Sequence, residues 1–268
     1  MYDYPKVKCS NPTTPLLLMF GPVSCGKSMI ATRLYCWLRK QGYKACCARD
    51  FLDSKYYNDS CDNFNNRVYS HVVINYPADV LSLNICDSQN NLICQTIEVP
   101  WLFHLDTWSD TPEIMINTPF TSFAKDVFSF ANPKIWCIII DPVRNDINDR
   151  IEYVKKTHEL GPMMSHRDKV IFIYNKVDCT PFCKDFSCAD TKAAYKDVEQ
   201  NYPKIFTPFR KKHWLFGWRD KFEFVPFQTG VYSLALDGGK VFTAGHDNYP
   251  KQLWEIILRH LKELHRQL

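Results

Sequence analysis

A short segment near the N-terminus carries the clearest chemical signal in this sequence. Residues 21–28 read GPVSCGKS and fit the phosphate-binding pattern G-x-x-x-x-G-K-S. In such a loop, backbone N–H groups converge on an anionic phosphate. The lysine, Lys27, reaches the β- and γ-phosphate oxygens, and the hydroxyl of Ser28 ligates magnesium. The predicted nucleoside-phosphate site consists of Gly21, Val23, Ser24, Cys25, Gly26, Lys27, Ser28 and Met29.

A second segment, Asn175-Lys176-Val177-Asp178, supplies groups that can recognise a base. The Asp178 carboxylate can accept hydrogen bonds from the N1–H and 2-amino groups of guanine. Adenine lacks both donors and would leave the carboxylate unpaired, so such a site rejects it. Asn175 is expected to hold neighbouring loops and the base edge, and the Lys176 stem to lie against the ring plane. The alternative is a polar strand-to-helix turn without a ligand.

The elements around these segments predict an α/β fold. Apolar runs at 16–20, 135–140 and 170–174 read as core strands, and 29–41 has helical spacing. In an open α/β sheet, ligands bind beyond the carboxyl ends of the strands, so both segments are expected to share one crevice. The sequence also predicts a hairpin of 80–86 with 92–99, a helix at 121–130, and a helix at 146–160 that buries Ile147, Ile151 and Val154. A hairpin over 231–243 and a final helix follow.

The two motifs, carried on successive α/β units, resemble those of P-loop GTPases of the translation-factor and Ras-like (TRAFAC) class. The resemblance implies a P-loop NTPase three-layer α/β/α sandwich with a mostly parallel sheet, one antiparallel edge strand and an added hairpin in the C-terminal half. It also implies GTP or GDP with Mg²⁺ as ligands, and a last base-contacting loop at Thr229 and Gly230. More loosely, the chain is similar to bacterial double-GTPase families of conflict and defence systems. We expect one domain over 1–268, with a lead-in at 1–14 and an insertion-like segment at 179–221.

The sequence departs from this class at the magnesium-side motif. No intact D-x-x-G follows the predicted hairpin, and two carboxylates remain as candidates. Hairpin geometry favours Glu98, whereas ligand chemistry favours Asp106 as a metal ligand beside Ser28. Together with Lys27, these are the candidate catalytic residues. No threonine occurs between 43 and 95, and no glutamine follows either candidate carboxylate in the position that orients water. Hydrolysis is therefore expected to be slow.

Composition narrows the class of protein. The chain has 268 residues, of which 46% are hydrophobic and 23% charged, as in a globular protein with a sizeable core. A net charge of +4 does not favour nucleic acid as a partner. We find no apolar run long enough to span a bilayer and no signal-peptide pattern at the N-terminus. The twelve cysteines resemble small buried hydrophobes in a reducing compartment, so we expect a cytoplasmic protein.

One segment suggests a partner. Residues 206–219 mix five aromatic residues with four lysines and arginines. Such a mixture fits a protein partner, a membrane surface, a nucleic acid or a core-packing loop, and a protein regulator or effector is favoured among the partners. A homodimer is a further possibility for completing the site. Three functions follow from the sequence: a slow regulatory GTPase, a GTP- or GDP-binding scaffold that does not turn over, and a P-loop kinase or ATPase in which 175–178 is incidental.

Overall fold

The structure is a computed structural model that describes residues 7–9, 11–22, 24–52, 57–59, 61–62, 82–100, 120–213, 217–234 and 240–266. The helices in these ranges are α1 (Lys27–Lys40), α2 (Ser122–Ser129), α3 (Ile147–Leu160), α4 (Thr191–Asn201) and α5 (Asn248–His265). The strands are β1 (Leu16–Gly21), β2 (Lys44–Cys47), β3 (Ser82–Cys86), β4 (Leu92–Pro100), β5 (Lys134–Ile140), β6 (Lys169–Tyr174), β7 (Cys183–Asp185), β8 (Cys188–Ala189), β9 (Arg210–His213), β10 (Gly217–Asp220), β11 (Glu223–Pro226), β12 (Gly230–Leu234) and β13 (Lys240–Ala244).

A seven-stranded sheet forms the centre of the fold, in the order β11-β6-β5-β1-β4-β3-β2. The strands from β11 to β4 pair in parallel, whereas β3 pairs antiparallel with both β4 and β2. The predicted mostly parallel sheet is therefore confirmed, with its antiparallel pairing at one edge. The reversed strand β3 is second from that edge, because the short strand β2 adds outside it.

Helices cover both faces of this sheet. Every residue of β1 and of β5 is buried, as expected for parallel strands packed on both sides. Crossovers between parallel strands are right-handed, and this places α2, α3 and α4 on one face and α1 on the other. On the first face, the ring of Phe20 stacks on Tyr153 of α3. On the second face, α5 packs against α1, and its Trp254 meets Tyr43 edge to face.

Helix α3 presents a different face to the sheet from the one its isoleucines suggest. The predicted apolar stripe is wrong, since Ile147 is 69% exposed and Ile151 is 47% exposed. Tyr153 is buried instead, and its hydroxyl donates a 2.8 Å hydrogen bond to the backbone oxygen of Ile139. Tyr153 lies about 200° around the helix from Ile151, so burying the ring turns the isoleucines outward. Val154 is partly buried against the core.

The segment between β6 and β11 contains regular structure. It begins with the β7–β8 hairpin, continues with α4 and ends with the β9–β10 hairpin, so the stretch predicted to be insertion-like holds the crossover helix to β11. Phe206 and Phe209, the first aromatic residues of 206–219, are buried against Phe172 with ring centroids 4.8 and 5.3 Å away. The predicted later hairpin is confirmed as β12–β13. None of the helices in the described ranges is long and apolar enough to cross a membrane.

Candidate functional site

The phosphate loop joins β1 to α1 and leaves the start of that helix open. Gly26 is the N-cap residue of α1, with φ of 94°, and no side chain caps the helix. The first N–H groups of a helix have no partners within it, and they favour an anion there. A Cβ atom on Gly26 would lie 2.4 Å from Nδ2 of Asn175, so a glycine is required at this position for two reasons, its backbone conformation and the available space.

Lys27 lies back across the loop. Its Nζ donates hydrogen bonds to the backbone oxygens of Gly21, at 2.9 Å, and Pro22, at 2.8 Å. The ammonium group is therefore held at the loop, where a phosphate oxygen could replace the carbonyl partners. Cys25 is fully buried, and burial raises the pKa of its thiol, so it packs as an apolar residue. Ser24 is exposed and Met29 half-buried, while Val23 lies outside the described residues.

The second predicted segment contacts the first directly. Asn175 follows β6 and is fully buried, and its Nδ2 donates a 2.8 Å hydrogen bond to the backbone oxygen of Cys25. Lys176 adopts the left-handed backbone conformation, with φ of 54°, and its Nζ donates to the backbone oxygen of Ser24 at 3.1 Å. Both residues thus reach the phosphate loop at the carboxyl edge of the sheet, so the two predicted segments lie in direct contact.

Asp141 joins this site although the sequence interpretation did not include it. Its carboxylate is buried and lies 2.6 Å from Lys176 Nζ, and its other oxygen accepts a 3.1 Å hydrogen bond from the Val143 backbone N–H. The signal that could have found it is its place directly after β5, since polar residues at the carboxyl ends of neighbouring parallel strands meet at one edge. Asp141 therefore fixes the ammonium group that links the two loops.

Asp178 lies in a single 3₁₀ turn, Val177–Cys179, and is partly exposed. The loop after β11 runs beside this turn, because the Val177 N–H donates to the backbone oxygen of Phe227 at 3.2 Å. Next in that loop come Thr229, which is buried, and Gly230, which begins β12 with φ of 133°. The predicted base-contacting loops are thus neighbours at the same edge of the sheet.

Glu98 is the predicted magnesium-side residue that the structure places at the phosphate loop. Its Oε2 accepts a 2.9 Å hydrogen bond from the Ser28 hydroxyl, and within the described part of the chain its buried Oε1 has no hydrogen-bond partner. Burial raises the pKa of Glu98 to about 7, against the opposing effects of Lys27 and of the Ser28 hydrogen bond. A carboxylate and a hydroxyl are the oxygen ligands that Mg²⁺ prefers, so the pair fits this ion. Asp106 lies outside the described residues.

Comparisons with known proteins find similar structures but no matching sequence family. No protein-family model and no curated protein matches this chain. Among solved structures, it is similar to one described as nucleolar GTP-binding protein 1 of Plasmodium falciparum, with 13% identity and a TM-score of 0.43 over 96% of this chain and 91% of that one. It is also similar to a mutation variant of SsGBP, with 13% identity and a TM-score of 0.41 over 94% of this chain and 57% of that one. The strand order, with the phosphate loop after the central strand β1, assigns the P-loop NTPase fold.

Proposed function

We propose that this protein binds a guanine nucleotide with Mg²⁺, hydrolyses GTP slowly and acts as a regulatory switch on a protein partner. The observation that carries the proposal is the hydrogen bond from Asn175 to the Cys25 backbone, because it joins a base-recognition loop to a phosphate loop at one edge of the sheet. In a P-loop kinase or ATPase, the same contact would only brace the phosphate loop, and residues 175–178 would take no part in base recognition.

Different residues of the site would bind different parts of the nucleotide. The open N-terminus of α1 and the Lys27 ammonium group would bind the phosphates. The carboxylate of Asp178 would accept hydrogen bonds from guanine, and the N–H groups at Thr229 and Gly230 would approach its carbonyl oxygen. Ser28 and Glu98 would hold Mg²⁺, with Asp106 as the alternative carboxylate. When bound, the ion would neutralise charge on the phosphate oxygens.

Slow hydrolysis follows from what the magnesium-side segment contains. At residues 98–101 a glutamate and a tryptophan stand in place of the aspartate and the glycine of D-x-x-G. At residues 106–109 the aspartate is kept and a serine replaces the glycine. No glutamine follows to orient a water molecule. The same observation favours a second candidate function, a GTP- or GDP-binding scaffold with little or no turnover. A protein regulator or effector, a homodimer that completes the site, and a cytoplasmic location belong to the proposal as well, whereas a membrane contact through 206–219 is not favoured.

Thermal unfolding with Mg²⁺ and GDP, GTP, a non-hydrolysable GTP analogue or ATP tests the proposal. A ligand that binds only the folded chain raises its unfolding temperature. We expect stabilisation by the guanine nucleotides and not by ATP. Phosphate release then separates the two candidate functions, since a slow GTPase releases phosphate and a scaffold does not. Stabilisation by no nucleotide would overturn the proposal.

Two substitutions test the residue assignments. Lys27→Ala is expected to abolish binding of every nucleotide, and Lys125→Ala, at an exposed lysine of α2, is its control. Asp178→Ala is expected to weaken guanine nucleotides by about 1.5–3 kcal/mol, the value of hydrogen bonds to a charged group. Asp126→Ala on the exposed face of α2 is the matched control. Equal losses of affinity for GTP and for ATP in Asp178→Ala would contradict the assignment of Asp178 to guanine recognition.

A further inference from the structure

A cavity of about 500 Å³ lies between the β7–β8 hairpin and the segment that joins β13 to α5. Its lining residues are Phe186, Gln228 and residues 243–247. Most residues of 243–247 are exposed, so a ligand can enter the cavity from solvent. The volume lies within the range of about 300–1,000 Å³ that small-molecule sites have in proteins. We call this space the hairpin cavity.

The hairpin cavity adjoins both predicted base-contacting loops. Gln228 directly precedes Thr229, and the Gly245 N–H donates a 3.3 Å hydrogen bond to the backbone oxygen of Thr229. Phe186 lies in the hairpin that follows the turn containing Asp178. The cavity is therefore built from segments that lie next to the two loops proposed to contact the base.

Polar contacts hold both walls of the cavity. Arg33 of α1 is fully buried, and its Nη2 donates hydrogen bonds to the backbone oxygen of Gly245, at 2.7 Å, and to Oδ1 of Asp247, at 2.5 Å. On the hairpin side, Nδ2 of Asn248 donates a 3.2 Å hydrogen bond to the backbone oxygen of Ser187. The walls are thus fixed to each other, and the first contact also connects them to the helix that begins at the phosphate loop.

Gln228 forms the floor of the cavity and carries an unpaired acceptor. The residue is 1% exposed, and within the described ranges its buried Oε1 has no hydrogen-bond partner. The side chain lies against the backbone of Gly245, where an added Cβ atom would be 3.0 Å from Oε1. Buried acceptors are nearly always paired, and the last torsion of a glutamine side chain is broad, so the amide can turn its oxygen to an N–H donor in the cavity.

Phe186 presents an exposed aromatic ring at the hairpin side of the cavity. It lies in the turn between β7 and β8 and is 74% exposed. Asp185 holds this turn, since its Oδ1 accepts hydrogen bonds from the backbone N–H groups of Ser187, at 2.7 Å, and Cys188, at 3.0 Å. The structure thus keeps an apolar ring where solvent and ligands reach it. Nucleobases are planar and stack on such rings.

We propose that the hairpin cavity holds the base of the bound nucleotide, with Phe186 stacked on the base and Gln228 Oε1 accepting a hydrogen bond from one of its N–H groups. This assignment rests on the proposed function and adds two residues that determine specificity for the base. Stacking favours any planar base. The unpaired oxygen of Gln228 adds an acceptor to that of Asp178, and the N1–H and 2-amino groups of guanine are donors that match acceptors of this kind.

Calorimetric titration of the full chain with two ligands tests the proposal. GDP with Mg²⁺ requires both the phosphate loop and the base site, whereas tripolyphosphate with Mg²⁺ requires the phosphate loop alone. We expect Phe186→Ala to weaken GDP binding about tenfold, because stacking is lost, and to leave tripolyphosphate binding unchanged. Phe186→Tyr keeps a ring and is expected to bind GDP as wild type does. Met163→Ala is the matched control, because Met163 is also exposed and lies in the turn between α3 and β6.

Gln228→Met removes the acceptor and keeps a side chain of similar length. We expect it to weaken GDP binding about fivefold and to leave tripolyphosphate binding unchanged. Gln252→Met, at an exposed glutamine of α5, is its control. Equal GDP affinity of wild type and Phe186→Ala, or equal losses of GDP and tripolyphosphate affinity in that variant, would overturn this inference alone. A wild-type chain that binds neither ligand would overturn the proposed function as well.

Discussion

The side-chain amide of Asn175 donates a 2.8 Å hydrogen bond to the backbone oxygen of Cys25 and occupies the space beside Gly26 that a Cβ atom would need. This relationship couples the shape of the phosphate loop to the loop that follows β6, the proposed base-recognition loop. Neither loop can move without disturbing a fully buried polar contact, and a buried amide left without its partner costs free energy. The two halves of the site are therefore expected to respond together to mutation.

Gly26→Ala tests this coupling. The new methyl group would meet Asn175 Nδ2 at 2.4 Å, and alanine disfavours the φ of 94°. We expect loss of nucleotide binding and a decrease of about 2–3 kcal/mol in the free energy of unfolding, measured with urea. Gly42→Ala is the matched control, because Gly42 has φ of 85° but no atom within 4 Å of its added Cβ. It should lose only about 1 kcal/mol. Equal losses for both variants would mean that Asn175 tolerates the methyl group.

Asp141→Asn tests the ion pair that holds Lys176. The carboxylate is buried and its distance to the Lys176 ammonium group is 2.6 Å, so removing its charge leaves a partly buried cation without its partner. We expect Asp141→Asn and Lys176→Met each to lower the free energy of unfolding by about 1.5–3 kcal/mol. A double-mutant cycle should give a coupling energy of about 1 kcal/mol or more. Additive losses in that cycle would contradict a direct interaction between the two side chains.

The strands and motifs of this chain were predictable from local pattern. An uninterrupted apolar run such as 135–140 is typical of a buried strand. The glycines of the phosphate loop mark where the backbone of that loop turns. A helix face is harder to predict. Helix α3 contains both isoleucines and an aromatic residue, Tyr153, that could face the sheet. Which of them is buried depends on Phe20, the packing partner of Tyr153, which lies far away in the chain.

The candidate site shows the same division between local pattern and tertiary contact. Asn175 and Lys176 were predicted because they form a local motif. Asp141 belongs to no motif, and its role depends on a contact between the ends of β5 and β6 that only the sheet order creates. Glu98 is an intermediate case. Its place near the end of the predicted strand 92–99 was readable from the sequence, but its hydrogen bond to Ser28 depends on the pairing of β1 with β4.

Substitutions in α3 test which of its faces is buried. Ile147 and Ile151 are exposed, so replacing both with serine is expected to change the free energy of unfolding by no more than about 0.5 kcal/mol each. Tyr153→Ala is expected to cost about 3 kcal/mol or more, because it leaves a cavity beside Phe20 and removes the hydrogen bond to the Ile139 backbone oxygen. Urea unfolding of the two variants measures both effects. A larger loss of unfolding free energy in the serine variant than in Tyr153→Ala would show that the isoleucine face is the buried one.

Glu98→Gln tests the ionisation of the magnesium-side carboxylate. The pKa of Glu98 is raised by burial from an ordinary value of 4.5 to about 7. The folded chain therefore keeps a proton there that the unfolded chain releases, and stability in the absence of Mg²⁺ and nucleotide is highest below pH about 4.5 and falls as the pH rises through about 7. A shift of this size corresponds to about 3 kcal/mol.

The measurement is urea unfolding of wild type and Glu98→Gln at several values of pH, without metal or nucleotide. Because glutamine does not ionise, the variant should lack the part of the decline that Glu98 causes, and the difference between the two proteins should widen towards neutral pH. Glu263→Gln is the matched control. Lys169 lowers the pKa of the partly exposed Glu263 carboxyl, so this carboxyl makes the folded chain more stable as the pH rises. Replacing it therefore cannot abolish a decline in stability with rising pH. Parallel stability curves for wild type and Glu98→Gln would show that this carboxyl has the same pKa in the folded and unfolded chains.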